Sequence, residues 1–199
     1  MTTSLRIAVA DDEPEMRDFF KKVLPRFGHQ VVAVAENGVQ LVENCRRIQP
    51  DLVITDIKMP ELDGIEASAL IFRERSVPVI LVSAYHDPAL IERSEAHHVL
   101  AYLVKPIGLA DLQPAIAIAM RRFSELQALL RECTDLRQAL ANRKVIEQAK
   151  GQLMKLTGID ETESFQRLQE LASNKKQKLI DAATGILSTE TAVAPVCRQ

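Results

Sequence analysis

The chain of 199 residues has no tryptophan, and tyrosine and phenylalanine bring its aromatic share to only 4%. So thin a supply of rings argues against a sheet-type RNA binder that stacks bases on aromatic faces. Cysteine is scarce and odd in number. Cys45, Cys133 and Cys197 lie far apart, which fits free thiols in a reducing cytoplasm and provides neither a disulfide frame nor a zinc site. No run approaches the roughly 18 apolar residues of a membrane span. The segment from Met1 to Arg6 lacks the basic region and cleavage site of a signal peptide. Proline is missing from residues 115–194, although eight of the nine prolines fall between Pro14 and Pro114. An excess of either charge is also missing, the net being −2.

That near-zero net hides an uneven distribution. Residues 1–113 hold 12 Lys+Arg against 17 Asp+Glu, and residues 114–199 hold 13 against 10. An acidic, proline-marked front and a mildly basic, proline-free back predict two modules with different tasks.

In the front module short apolar runs alternate with helix-like stretches. The runs are 5–10, 31–35, 52–56, 79–83 and 100–104. Helical patterns occupy 13–27, 38–48, 64–75 and 88–97, and another starts near Leu109. Near-continuous apolar strands between helices predict a parallel sheet covered on both faces, a doubly wound α/β fold. In such folds chemistry gathers at the carboxyl ends of the strands. Asp11-Asp12-Glu13 closes the first strand, Asp56 the third, Ser83 the fourth and Lys105-Pro106 the fifth. Clustered carboxylates repel one another unless a hard cation sits among them, and Mg2+ suits an all-oxygen set. A nearby lysine and a hydroxyl would serve an added anion. The set suits placing a phosphoryl group on a carboxylate. Taken singly, each residue has a structural alternative. Asp11 and Asp12 could cap a helix, Asp56 could precede a turn, Ser83 could be a local cap and Tyr102 a core residue. The four histidines, His29, His86, His97 and His98, show no ligand spacing and read as surface residues.

The segments VADDE (9–13), VITDIKMPELDG (53–64), LVSAY (81–85) and YLVKP (102–106) occur in the order and spacing of a response-regulator receiver domain. The front module, 1–114, therefore resembles that CheY-like, flavodoxin-like family. The resemblance implies that Asp56 accepts a phosphoryl group from a sensor histidine kinase. It implies that Asp11 and Asp12 hold Mg2+ with Asp56 and the backbone carbonyl of Lys58. Ser83 and Tyr102 would be the switch residues, and Lys105 would pair with the phosphoryl group ahead of a cis peptide at Pro106. The module would be a regulator and not an enzyme, apart from slow self-dephosphorylation of Asp56.

From Pro114, expected in the first turn of a helix, a connector runs to about 142. Leu126, Cys133 and Leu140 recur every seven residues, with Phe123 and Leu130 at the alternate seam position and Arg137 breaking the pattern. This predicts either a parallel coiled-coil dimer or an amphipathic helix packed within one chain. Three helices follow in 143–187. The first, 143–156, buries Ile146, Ala149, Leu153 and Leu156, and Gly158 is its left-handed cap. Asp160-x-x-Glu163 has capping-box form before a second helix with Phe165, Leu168 and Ala172 inside. Asn174-x-x-Gln177 is a candidate cap for the third. Residues 188–199 read as a flexible tail.

RKVIEQAKGQLMKLTGIDETESFQRLQELA (143–172) and KLIDAATGIL (178–187) resemble the ANTAR domain, an RNA-binding output module of transcription antiterminators. The resemblance implies an RNA hairpin as partner. Phosphate-contact candidates are Arg143, Lys144, Lys150, Lys155, Lys175, Lys176 and Lys178; a plain solvated face is the alternative for these cations. A DNA-binding or protein-interaction helical output is the competing functional reading. The whole is expected to be a cytoplasmic response regulator with no membrane partner.

Overall fold

The computed structural model describes residues 4–84 and 99–191. The helix expected over 88–97, together with Tyr85, His86, His97, His98 and Cys197, lies outside the described residues. Contacts divide the chain into two units, Met1–Gln127 and Ala128–Gln199.

Among the described residues the first unit contains five strands: β1 (Arg6–Ala10), β2 (Gln30–Ala35), β3 (Leu52–Asp56), β4 (Val79–Ser83) and β5 (Val99–Val104). They form one parallel sheet in the order β2-β1-β3-β4-β5. Strand alternation sorts the apolar residues into two cores. Ile7, Val9, Leu52, Ile54, Ile80 and Val82 meet Phe20 of helix α1 (Pro14–Val23) and Leu112 and Ile116 of helix α4 (Leu109–Thr157). Ala8, Ala10, Val53, Val79 and Leu81 face the other way, onto Leu41 of α2 (Gly38–Ile48) and Ile65 and Ile71 of α3 (Gly64–Glu74). Burial on both faces is why these strands read as unbroken apolar runs.

Three expectations change in this unit. The stretch read as one helix over 13–27 is α1 followed by a 3-10 turn, Leu24–Phe27, because Pro25 has no N–H to continue the ladder; Gly28, at φ 82°, then stops the turn. Pro114 lies within α4 and not in its first turn. Its position is exposed, so the Ala110 carbonyl that it leaves without a helical donor can meet water. His29 is not a surface residue. It is 7% exposed, and its Nδ1 accepts the Leu5 N–H at 3.3 Å. Burial holds its imidazole below the ordinary range, so the ring stays neutral.

The second unit comprises the remainder of α4, α5 (Glu161–Asn174) and α6 (Leu179–Thr191). Gly158, at φ 70°, ends α4 with its N–H on the Met154 carbonyl. The Asp160 side chain accepts the Glu163 N–H at 2.8 Å and caps α5. The core is thin and rich in alanine: Ala149, Leu168, Ala172, Ala182 and Ala183, flanked by Val145, Ile146, Leu153, Leu179, Ile186 and Leu187.

Four expectations change here. Leu156 is exposed, because the core ends one turn earlier at Leu153. Phe165 is 37% exposed and carries the Lys150 ammonium 5.8 Å from its ring centre, a cation–π contact in place of core packing. Asn174 and Gln177 do not cap α6. They belong to a turn that closes α5, in which the Lys176 N–H reaches the Ser173 carbonyl and the Gln177 N–H the Ala172 carbonyl, with Lys176 left-handed at φ 50°. Helix α6 continues to Thr191, into the segment read as a tail.

Between the two packed regions the helix is bare. Residues 128–141 of α4 are all exposed. Leu129, Leu130, Leu136 and Leu140 stand in solvent, Leu140 at 68%. Among the described residues no helix is long and apolar enough to cross a membrane.

Candidate phosphorylation pocket and helical output

The sheet order reverses between β1 and β3, and the pocket opens at the carboxyl ends of these two strands. Register places Ala10 beside Thr55, so Asp11 and Asp56 project from adjacent strand ends. Lys105 arrives from the end of β5, followed by a cis peptide to Pro106. Its Nζ lies 3.0 Å from Asp11 Oδ2, 3.0 Å from Asp56 Oδ1 and 3.1 Å from Glu13 Oε1. Asp11 and Asp56 are buried, while Asp12 is exposed.

Burial raises the pKa of both inner carboxyls above the ordinary range. The Glu13 N–H and Lys105 oppose this at Asp11, and Lys105 and the Lys58 N–H oppose it at Asp56. Burial alone would push the Lys105 ammonium down, but Asp56, Asp11 and Glu13 outweigh it and hold the ammonium above the lysine range. Asp56 Oδ2 accepts the Lys58 N–H at 2.8 Å, and Asp11 Oδ1 accepts the Glu13 N–H at 3.0 Å. The remaining Asp11 oxygen, Oδ2, is buried, and the Lys105 ammonium stands 3.0 Å from it. Asp11, Asp12 and Glu13 each offer one carboxylate oxygen, and the three lie within 4.8 Å of one another. A buried carboxylate beside two further carboxylates is an all-oxygen donor set of the kind that fits a hard cation such as Mg2+.

Ser83 and Tyr102 lie on the two neighbouring strands, β4 and β5. Ser83 is buried at the end of β4, and its carbonyl accepts the Lys105 N–H at 2.8 Å. Tyr102 pairs with Leu81 across β4–β5 and packs, half-buried, against the core under α2 and α3. Gly64 is required because a Cβ there would come within 2.0 Å of the Asp56 carbonyl oxygen.

Two contributors escaped sequence reasoning. Glu13 was visible in the acidic run but had no assigned role. Arg17 gave no motif signal. Its guanidinium donates to the Asp11 carbonyl at 2.8 Å and the Asp12 carbonyl at 2.9 Å, and it pairs with Glu36 at 3.0 Å. It fastens the backbone of the loop whose side chains form the acidic cluster.

The output candidates separate into two kinds. Arg143, Lys144, Lys155, Lys175, Lys176 and Lys178 are exposed. Lys150 is buried and spent on Glu161 at 2.8 Å and Glu147 at 3.1 Å, which hold its ammonium above the ordinary range.

Comparison with known proteins agrees with this division. Residues 7–117 match the response regulator receiver domain family and residues 134–187 match the ANTAR domain family. The chain belongs to the response regulators that join a receiver to an ANTAR output: it is a phosphorylation-controlled regulator with an RNA-binding output domain. It is 36% identical over 184 residues to the transcriptional regulatory protein PdtaR of Mycobacterium tuberculosis, covering 92% of this chain and 90% of the relative. It is 31% identical over 141 residues to the transcriptional regulatory protein HptR of Staphylococcus aureus, covering 68% of this chain and 56% of the relative. Among solved structures, a LuxR-family two-component response regulator from Aurantimonas sp. SI85-9A1 superposes with a TM-score of 0.57 at 25% identity, over 60% of this chain and 86% of that one.

Proposed function

We propose that this chain is a cytoplasmic antitermination regulator in which phosphorylation of Asp56 controls capture of an RNA hairpin by residues 143–187. The observation that carries this reading is the Lys105 ammonium held 3.0 Å from both Asp11 and Asp56. A cation so placed can follow charge from the carboxylate to an added phosphoryl group.

Asp56 attacks the phosphorus of a phosphohistidine on a sensor kinase. The new P–O bond forms as the P–N bond breaks, and the imidazole takes up a proton on leaving. Asp11 and Asp12, with Asp56 and the Lys58 carbonyl, are the residues that would hold Mg2+. When bound, that ion neutralises charge building on the phosphoryl oxygens. The Ser83 hydroxyl donates to a phosphoryl oxygen, Lys105 pairs with another, and Tyr102 turns inward behind Ser83. Water slowly reverses the modification. The exposed seam of α4 joins two chains as a parallel dimer, which presents two output units.

Phosphorylation is tested with a small-molecule phosphodonor and Mg2+, read by intact mass, on the wild type and Asp56→Asn. The wild type gains one phosphoryl group and the variant none; label retained in the variant refutes the assignment. Hairpin and duplex DNA binding at one fixed salt concentration, with and without beryllofluoride, tests the output. Preference for duplex DNA would refute the RNA reading.

A further inference from the structure

The second unit contains a groove of about 290 Å³ between α5 and α6. Leu171, Ala182 and Ile186 give it an apolar wall, and Lys175, Gln177 and Asp181 a polar rim. That volume is at the lower edge of the range for ligand sites, about 300–1,000 Å³, and suits one planar ring. The turn that closes α5 forms part of the rim and sets three lysines, Lys175, Lys176 and Lys178, within four residues. Lys176 adopts a left-handed conformation at φ 50°, which residues with a Cβ seldom adopt. A cation is thus kept where glycine would sit at ease. Unlike Lys150, none of these three lysines makes an ion pair among the described residues.

An apolar slot edged by one amide and one carboxylate, with uncommitted cations beside it, has the chemistry of a nucleobase flanked by phosphates. Asp181, as an acceptor only, calls for N–H groups on the base edge. A base inside a duplex has its edge occupied and its faces stacked, so only an unpaired base can enter. Building on the RNA reading above, we infer that the α5–α6 groove takes one unpaired, amino-bearing base of the RNA loop, while Lys175, Lys176 and Lys178 hold the flanking phosphates.

Gly185 lines the same groove, and a Cβ added there would meet nothing within 4 Å among the described residues. Gly185→Leu therefore fills the slot without changing charge or straining the helix. The test uses the full chain activated with beryllofluoride and a pool of RNA hairpins with a constant stem and a randomised loop. A hairpin enriched by the wild type is then measured by fluorescence anisotropy at fixed salt. Gly185→Leu is expected to weaken it at least tenfold while leaving duplex RNA binding unchanged. Removing one particular loop base should weaken it similarly, and the two losses should not add. Asp181→Asn should erode the preference for an amino-bearing base over uracil at that position. Replacing the three lysines with glutamine should weaken duplex and hairpin alike and flatten the salt dependence.

Helical content measured by circular dichroism shows whether Gly185→Leu keeps its fold; if it does not, the exposed, isosteric Asp181→Asn decides. If the groove variants bind the enriched hairpin as the wild type does and only the lysine variant fails, the groove is not the base site and the RNA reading stands. If the wild type enriches no hairpin at all, both fall.

Discussion

At the scale of single residues, the pocket concentrates charge that the fold must hold at a cost. The pKa of Asp56 is raised above its ordinary 3.8, chiefly by burial. Between 3.8 and the raised value the folded chain keeps a proton that the unfolded chain has lost. Stability from this group is therefore complete at low pH and is lost as pH rises through that window. Asp56→Asn removes the charge, and Lys105 keeps Asp11 and Glu13 as partners. The variant should melt a few degrees above the wild type at neutral pH, and the gain should shrink toward zero as pH falls through the carboxylate range. Thermal unfolding across a pH series measures this; a pH-independent difference would remove burial of the charge as its cause. Arg17 works differently, through the carbonyls of Asp11 and Asp12. Outer partners of this kind typically change metal affinity by about 10–100-fold when removed. Arg17→Gln should weaken Mg2+ binding by about tenfold, read by calorimetry, with little change in melting temperature. Unaltered Mg2+ affinity would reduce Arg17 to a loop staple.

At the scale of elements, the turn after α5 carries a left-handed residue with a Cβ, Lys176, as the cap of α2 does at Gln49. Lys176→Gly relieves the left-handed residue and should stabilise the second unit by about 1 kcal/mol. It should also weaken RNA binding by removing one phosphate contact. Chemical denaturation followed by far-UV circular dichroism reads the first effect, and a loss of stability would contradict the assigned turn. Elements are also where the sequence was most and least legible. Strands β3 and β4 and helix α2 were readable to their ends, because the apolar runs start just after Pro50 and Pro78 and close at Asp56 and Ser83, and the 3.6-residue period starts at Gly38. The pocket was readable because its residues sit at strand ends in a fixed order. What escaped depends on pairings distant in sequence. His29 is buried by Leu5 and its neighbours across the sheet edge, and nothing local to it shows this. Arg17 donates to backbone, which no side-chain pattern reports. Phe165 and Leu156 fit the helical period but lie beyond the partners that would cover them. The break at Pro25 follows from one missing donor within an otherwise helical pattern.

At the scale of the whole molecule, two cores of very different quality share one chain. The first unit buries aliphatic side chains on both faces of a five-stranded sheet. The second relies on four alanines and one leucine, with partly buried aliphatic residues around them. Apolar burial contributes roughly 25 cal/mol per Å², so small alanine side chains supply little, and units this small are marginal on their own. The chain between these cores, residues 128–141, contributes no buried side chain to either. Independent stability therefore follows, and calorimetry of the full chain should show two heat-absorption peaks, the lower one assigned to the second unit. Self-association changes this result in a defined way. If the leucine seam pairs two chains, the lower peak should rise with protein concentration, since anything that binds only the folded form stabilises it. Leu130→Lys with Leu140→Lys should abolish that dependence and lower the sedimentation mass, yet leave the upper peak in place, because both side chains are exposed within one chain. A single peak, or a lower peak indifferent to concentration in a protein that sediments as a monomer with and without beryllofluoride, would remove the dimer from the signalling route. The phosphorylation signal would then have to pass along α4 within one chain.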